Sequence, residues 1–139
     1  FIENRLLELI NWLFHPAFVD RVSFLEDQDI KIVCLGELDD KRSKSWAPVG
    51  EETVLAALDR IVDSSHYPLL ITDSTGKHRT GTVVACLRKL QRWNLTSIFE
   101  EYRRFTKHKV RVQNEQFIEL FDTDLVQLPP EAPRFLLNR

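Results

Sequence analysis

The sequence predicts an α/β domain with a central, mainly parallel sheet flanked by helices. Three observations carry this. Two short apolar runs, Ile30-Lys31-Ile32-Val33-Cys34-Leu35 and Leu69-Leu70-Ile71-Thr72, are each followed by chain breakers, Gly36 after the first and a small-residue loop after the second. That pattern marks short strands. Stretches with apolar residues at helical spacing alternate with these runs. At 139 residues, 43% of them hydrophobic, the chain suits one domain with one core.

The elements follow in order. Leu6 to Phe14 is apolar and ambiguous. Propensity favours a helix, while Leu9, Asn11 and Leu13 against Ile10, Trp12 and Phe14 also suit a strand covered on both faces. Phe18, Val22 and Leu25 recur at helical spacing and predict an amphipathic helix over 17–27. A strand over 30–35 leads into a long polar loop, 37–50, of a length often associated with function. A helix over 51–64 turns Val54, Leu55, Leu58, Ile61 and Val62 inward. After the strand at 69–72, a helix from Thr80 to Trp93 faces the core with Val83, Val84, Leu87 and Leu90. Asn94 breaks it, and Thr96 or Ser97 caps the next helix, which carries Phe99, Tyr102 and Phe105. A basic connector, Lys107-His108-Lys109-Val110-Arg111, precedes a helix over 113–122 with Phe117, Leu120 and Phe121. Residues 1–122 form the domain and 123–139 a C-terminal tail. Leu125, Val126, Leu128, Phe135, Leu136 and Leu137 of that tail offer an exposed apolar surface to a partner or an upstream segment. With three strands in view, an edge strand is expected upstream of Phe1. The absence of Met makes the chain read as a piece of a longer polypeptide.

Composition limits the partners. Charged residues are 29% and the net charge is −2, so no global basic excess points to nucleic acid, and any polyanion site must be local. No apolar run reaches the roughly 20 residues of a membrane span, and no signal-peptide pattern is present. A cytoplasmic location without membrane contact is the expectation. Cys34 and Cys86 lie in apolar segments and read as buried free thiols of a reducing compartment. Trp12 and Trp93 read as core or subunit contacts.

The segment Thr72-Asp73-Ser74-Thr75-Gly76-Lys77-His78-Arg79-Thr80-Gly81 has the layout of a backbone anion cradle. A strand ends, a loop of small residues turns, and a helix begins, so successive N–H groups converge on one spot. Ser74, Thr75, Gly76, Lys77, His78 and Arg79 are the phosphate-binding candidates. For His78, a hydrogen bond inside the loop competes with ligand contact. A nucleotide P-loop is set aside, because Ile71 stands where its first Gly is needed and His78 where Ser or Thr follows the Lys. A phosphoaspartate hydrolase is set aside because Thr75 stands at the place of its second Asp. No carboxylate cluster of metal-ligand character surrounds 73–79, so no metal and no cofactor are expected.

The stretches Gly76-Lys77-His78-Arg79-Thr80-Gly81, Arg88-Lys89-Leu90-Gln91-Arg92-Trp93, Glu101-Tyr102-Arg103-Arg104-Phe105, Lys109-Val110-Arg111 and Gln116-Phe117-Ile118-Glu119 together resemble the plant and fungal atypical dual-specificity phosphatases. Residues 68–122 carry the resemblance. It implies the cysteine-phosphatase fold, favours the strand reading of Leu9–Phe14, and implies cleavage of inositol pyrophosphates and phosphoproteins by family members. It also implies phosphate contacts from Arg79, Lys77 and His78 and a rim contact with polyphosphate from Lys109 and Arg111. In that family the loop opens with His then Cys, six residues before the Arg; here those positions hold Thr72 and Asp73. The general acid, carried in the family by the loop corresponding to 37–50, has four candidates here: Asp39, Asp40, Glu51 and Glu52.

The thiolate of such a loop is activated by the surrounding amides and the Arg. A carboxylate is a far poorer nucleophile. Asp73 therefore reads either as an occupant of the cradle, accepting loop N–H bonds and pairing with Arg79, or as a plain turn or N-cap Asp; both readings expect no catalysis. The chain is expected to be a catalytically inactive regulatory or scaffolding subunit that binds phosphate or an inositol polyphosphate and a protein partner such as a related phosphatase. The alternative is an active phosphatase whose cysteine an engineered substitution has replaced with Asp73. A purely structural domain is the third reading.

Overall fold

The computed structural model describes residues 8–11, 23–35, 49–73 and 76–137. Three parallel strands, β1 (Glu8–Asn11), β2 (Lys31–Cys34) and β3 (Leu69–Thr72), form a sheet in the order β2-β1-β3. Glu8 pairs with Lys31 on one side and Leu69 on the other; Asn11 pairs with Cys34 and Thr72. The ambiguous first segment is thus the middle strand. All three strands end at one edge of the sheet, and Asp73 is the first residue beyond it. In open parallel sheets that carboxyl edge is where ligands bind.

Helix α1, described over 23–27, precedes β2. Then come α2 (Glu51–Val62), α3 (His78–Leu90), α4 (Leu95–Thr106), α5 (Val112–Leu120) and α6 (Arg134–Leu137). Glu51 and Glu52 in the first turn of α2 face the positive end of its dipole. The core is Val54, Ala57, Leu58, Ile61 and Val62 of α2, Val83, Ala85, Cys86 and Leu90 of α3, and Ile98, Tyr102 and Ile118 of α4 and α5. Val84 and Leu87 of α3 and Leu55 of α2 are only partly buried.

Several expectations are corrected. Asn94 does not merely interrupt the chain; its side chain accepts the Ser97 N–H and caps α4, a role predicted for Thr96 or Ser97. Phe105 and Leu120, named among the apolar residues of their helices, are 61% and 74% exposed. The buried stripe of α4 is Ile98, Tyr102 and Thr106, four residues apart, and that of α5 is Asn114 and Ile118. Trp93 is also exposed and lies beneath the Arg88 guanidinium, 4.3 Å from its ring centre. The tail is not wholly exposed. Val126, Ala132 and Leu136 are buried against the domain, while Leu125 and Phe135 remain on the surface. Ser64 Oγ donates to the Glu131 carbonyl, tying the segment to the end of α2.

Polar links join the helices behind the loop. Arg88 donates to both Glu101 oxygens at 2.9 Å, linking α3 to α4. Arg103 donates to both oxygens of Glu115, linking α4 to α5. Lys89 Nζ donates to the Glu119 and Phe121 carbonyls, each at 2.7 Å, satisfying acceptors at the end of α5. Gly81 lets α4 approach: a Cβ there would lie 3.2 Å from two carbons of the Tyr102 ring.

The two cysteines part company. Cys86 is buried, and burial pushes its thiol up to about 12. Cys34 is exposed at the end of β2, contrary to expectation, because it closes an outer strand of the described sheet. A thiol reagent at pH 8 is therefore expected to modify one cysteine of the folded protein and both in denaturant, counted by mass spectrometry. Two rapid modifications without denaturant would contradict this burial.

Candidate functional site

The loop after β3 is organised around Asp73. Its Oδ1 accepts the Gly76 N–H, and its Oδ2 accepts the N–H groups of Arg79 and Thr80 at 3.1 and 3.0 Å. Gly76 sits at φ +64, the left-handed region where glycine carries no Cβ penalty. The N–H groups at the start of α3 have no intrahelical acceptor, and the positive end of the helix dipole lies beside them. They would suit any anion; here they hold the carboxylate of the chain itself. The two sequence readings of Asp73, cradle occupant and helix cap, merge into one geometry. Arg79 meets Asp73 through its backbone N–H.

Ser74 and Thr75 lie outside the described residues, as do the general-acid candidates Asp39 and Asp40. Glu51 and Glu52 are exposed at the start of α2. Lys77 precedes α3 and His78 is its first residue. His78 is partly buried, and burial holds its imidazole below the usual range; the positive charges of Arg111, Lys77 and Lys109 add to this and Asp73 opposes it. Lys77 of the loop and the two connector residues singled out from sequence thus act on one imidazole.

Behind His78 lies a polar chain that sequence reasoning missed. His78 Nδ1 is 3.5 Å from the Tyr102 hydroxyl, which accepts from Asn114 Nδ2 at 2.8 Å. Asn114 is 1% exposed, and Tyr102 is buried, which raises its hydroxyl pKa. The available signal was an Asn four residues before Ile118, on the apolar face of α5. Thr80 Oγ1 and Asn114 Oδ1 are buried side-chain atoms with no hydrogen-bond partner. Among the described residues, no group of three or more His, Cys, Asp or Glu could hold a metal ion, and no helix is long and apolar enough to cross a membrane.

Residues 1–137 match the family model described as the tyrosine phosphatase family. The chain belongs to that family. Within the tyrosine phosphatase family it is 59% identical over 114 residues to the "Probable tyrosine-protein phosphatase DG1060" of Dictyostelium discoideum, covering 82% of this chain and 67% of that protein. It is 45% identical over 131 residues to the "Inositol diphosphatase DSP1" of Oryza sativa subsp. japonica, covering 93% of this chain and 58% of the rice protein. Among solved structures, the core catalytic domain of the PP-IP phosphatase SIW14 from S. cerevisiae, in complex with citrate, superposes with a TM-score of 0.74 at 34% identity. The match covers 84% of this chain and 68% of that domain. The fold is that of the cysteine-dependent phosphatases, and the relatives include inositol pyrophosphate phosphatases.

Proposed function

We propose that this chain is a non-catalytic member of its phosphatase family, a regulatory or scaffolding subunit in which Asp73 occupies the nucleophile position. The observation that carries the reading is the carboxylate of Asp73 held by three backbone N–H groups of Gly76, Arg79 and Thr80. Two consequences follow from the chemistry. A carboxylate so held has most of its lone pairs committed to donors, and it lacks the nucleophilicity of a thiolate. It also brings a negative charge to the spot a phosphoryl group would use, where like charges at about 4 Å repel by about 1–4 kcal/mol. Lys77, Arg79, Lys109 and Arg111, with the His78 ring among them, remain as a mouth for phosphate or an inositol polyphosphate, the ligand class that the names of the rice and yeast relatives suggest. A related, active phosphatase is the partner class that such a subunit would serve.

The test is orthophosphate release from an inositol pyrophosphate by the purified chain. No multiple-turnover release above the blank is expected. Sustained turnover that disappears in Asp73→Ala would show that the carboxylate is a nucleophile and would overturn the reading.

A further inference from the structure

The chain of side chains running from α5 through α4 to the loop has a direction. The Asn114 amide donates to the Tyr102 oxygen at 2.8 Å. The phenol carries one proton, and with one side of its oxygen engaged by that donor, the O–H is free to turn toward His78 Nδ1, 3.5 Å away. Turning the amide over would reverse the chain, but it would leave both N–H groups of a residue that is 1% exposed facing the side where Asn114 Oδ1 now finds no partner. Buried N–H groups without acceptors are rarer in proteins than under-satisfied carbonyl oxygens. Packing fixes the geometry as well: Tyr102 is buried, and the absence of a side chain at Gly81 admits its ring.

We propose that Tyr102 is a positioning residue, which, oriented by Asn114, holds His78 as the neutral tautomer protonated at Nε2, so that the opposite edge of the ring is a fixed N–H donor at the mouth of the loop. The environment supports the neutral state. Arg111 and Lys109 from the connector before α5 and Lys77 from the loop disfavour a further positive charge, Asp73 alone favours it, and Tyr102 faces the ring from α4. An imidazolium would need to donate from Nδ1 to an oxygen already receiving the Asn114 amide, leaving the phenol proton without its acceptor. The inference deepens the anion-site reading and rests on it for the ligand, though not for the tautomer.

The experiment is a long-range proton–nitrogen correlation of the imidazoles in the uniformly labelled chain, with His78 assigned by the loss of its signals in His78→Gln. The expected native result is the Nε2-protonated pattern. In Tyr102→Phe the preference collapses to a mixture, and the His78 pKa rises by about half a unit to one unit, the effect of losing one neutral hydrogen bond. Inorganic pyrophosphate is expected to perturb Nε2 in the native protein and to bind the Phe variant several-fold more weakly. An Nδ1-protonated native His78, a tautomer unchanged in Tyr102→Phe, or a His78 indifferent to pyrophosphate would each overturn the proposal. The native tautomer needs no variant, so misfolding of Tyr102→Phe does not remove the test. Failure of the non-catalytic reading would show in phosphate release and leave the tautomer as it is.

Discussion

Asp73→Ala is expected to bind inorganic phosphate at least about fivefold more tightly than the native chain. The native loop presents its N–H groups to a carboxylate it cannot lose, and removing that charge relieves about 1–4 kcal/mol of repulsion at the same spot. The substitution has a second, opposite effect. Gly76, Arg79 and Thr80 lose the acceptor of their N–H groups, and losing such a cap at a helix start costs about 0.5–2 kcal/mol. The variant should therefore melt several degrees lower in phosphate-free buffer and recover as phosphate is added, since a ligand that binds only the folded state stabilises it by mass action. Asp73→Asn separates the two effects: it removes the charge and keeps one oxygen for the α3 amides. Calorimetric titration with phosphate and a thermal melt at several phosphate concentrations read both. Equal phosphate affinity in native chain and Asp73→Ala would show that the carboxylate does not exclude an anion.

Leu58→Ala is expected to cost about 2–5 kcal/mol, a substantial part of the roughly 5–15 kcal/mol that holds a domain of this kind together. Leu58 is 0% exposed in the middle of α2, and it is among the largest fully buried side chains of the chain. The same change at Leu120, 74% exposed, should fall within about 0.5 kcal/mol of neutral. Urea midpoints of the two variants make the comparison directly. A small loss at Leu58 would mean that the helices around it close over the cavity. A large loss at Leu120 would mean that its exposed face is covered in solution.

Leu58 and Leu120 also show where sequence reading succeeds. Helix α2 has a full apolar stripe over twelve residues, so its phase is set by many positions, and each residue predicted inward is at least partly buried, while Ala57, also buried, is not among them. Helix α5 has nine residues, with two fully buried side chains, one of them polar. There, apolar character alone selected Leu120, whereas tertiary packing buries Asn114 because Tyr102 accepts its amide. Strand β3 was legible to the residue because Pro68 and the loop bracket it. The order of strand, loop and helix around Asp73 was legible because small residues and a run of helix formers follow the strand in the sequence. The burial of Val126 and Leu136 was not, since nothing local tells a polar, proline-containing segment that it returns to the core. The Asn114–Tyr102–His78 chain depends on three separate elements meeting in space, which spacing within any one of them does not encode.

The pairing of Glu8 with both Lys31 and Leu69 bears on how the sheet is assembled. Among the described strands, the one that comes earliest lies between the two that come later, so a ribosome delivers β1 before either of these partners. Until Leu69–Thr72 has emerged, at least one side of that first strand carries unclaimed backbone donors and acceptors. Closing the far contact spans most of the first half of the chain, which slows the search for the native arrangement. During synthesis, the side of β1 that will receive β3 is thus open to mispairing until the residues just ahead of Asp73 appear.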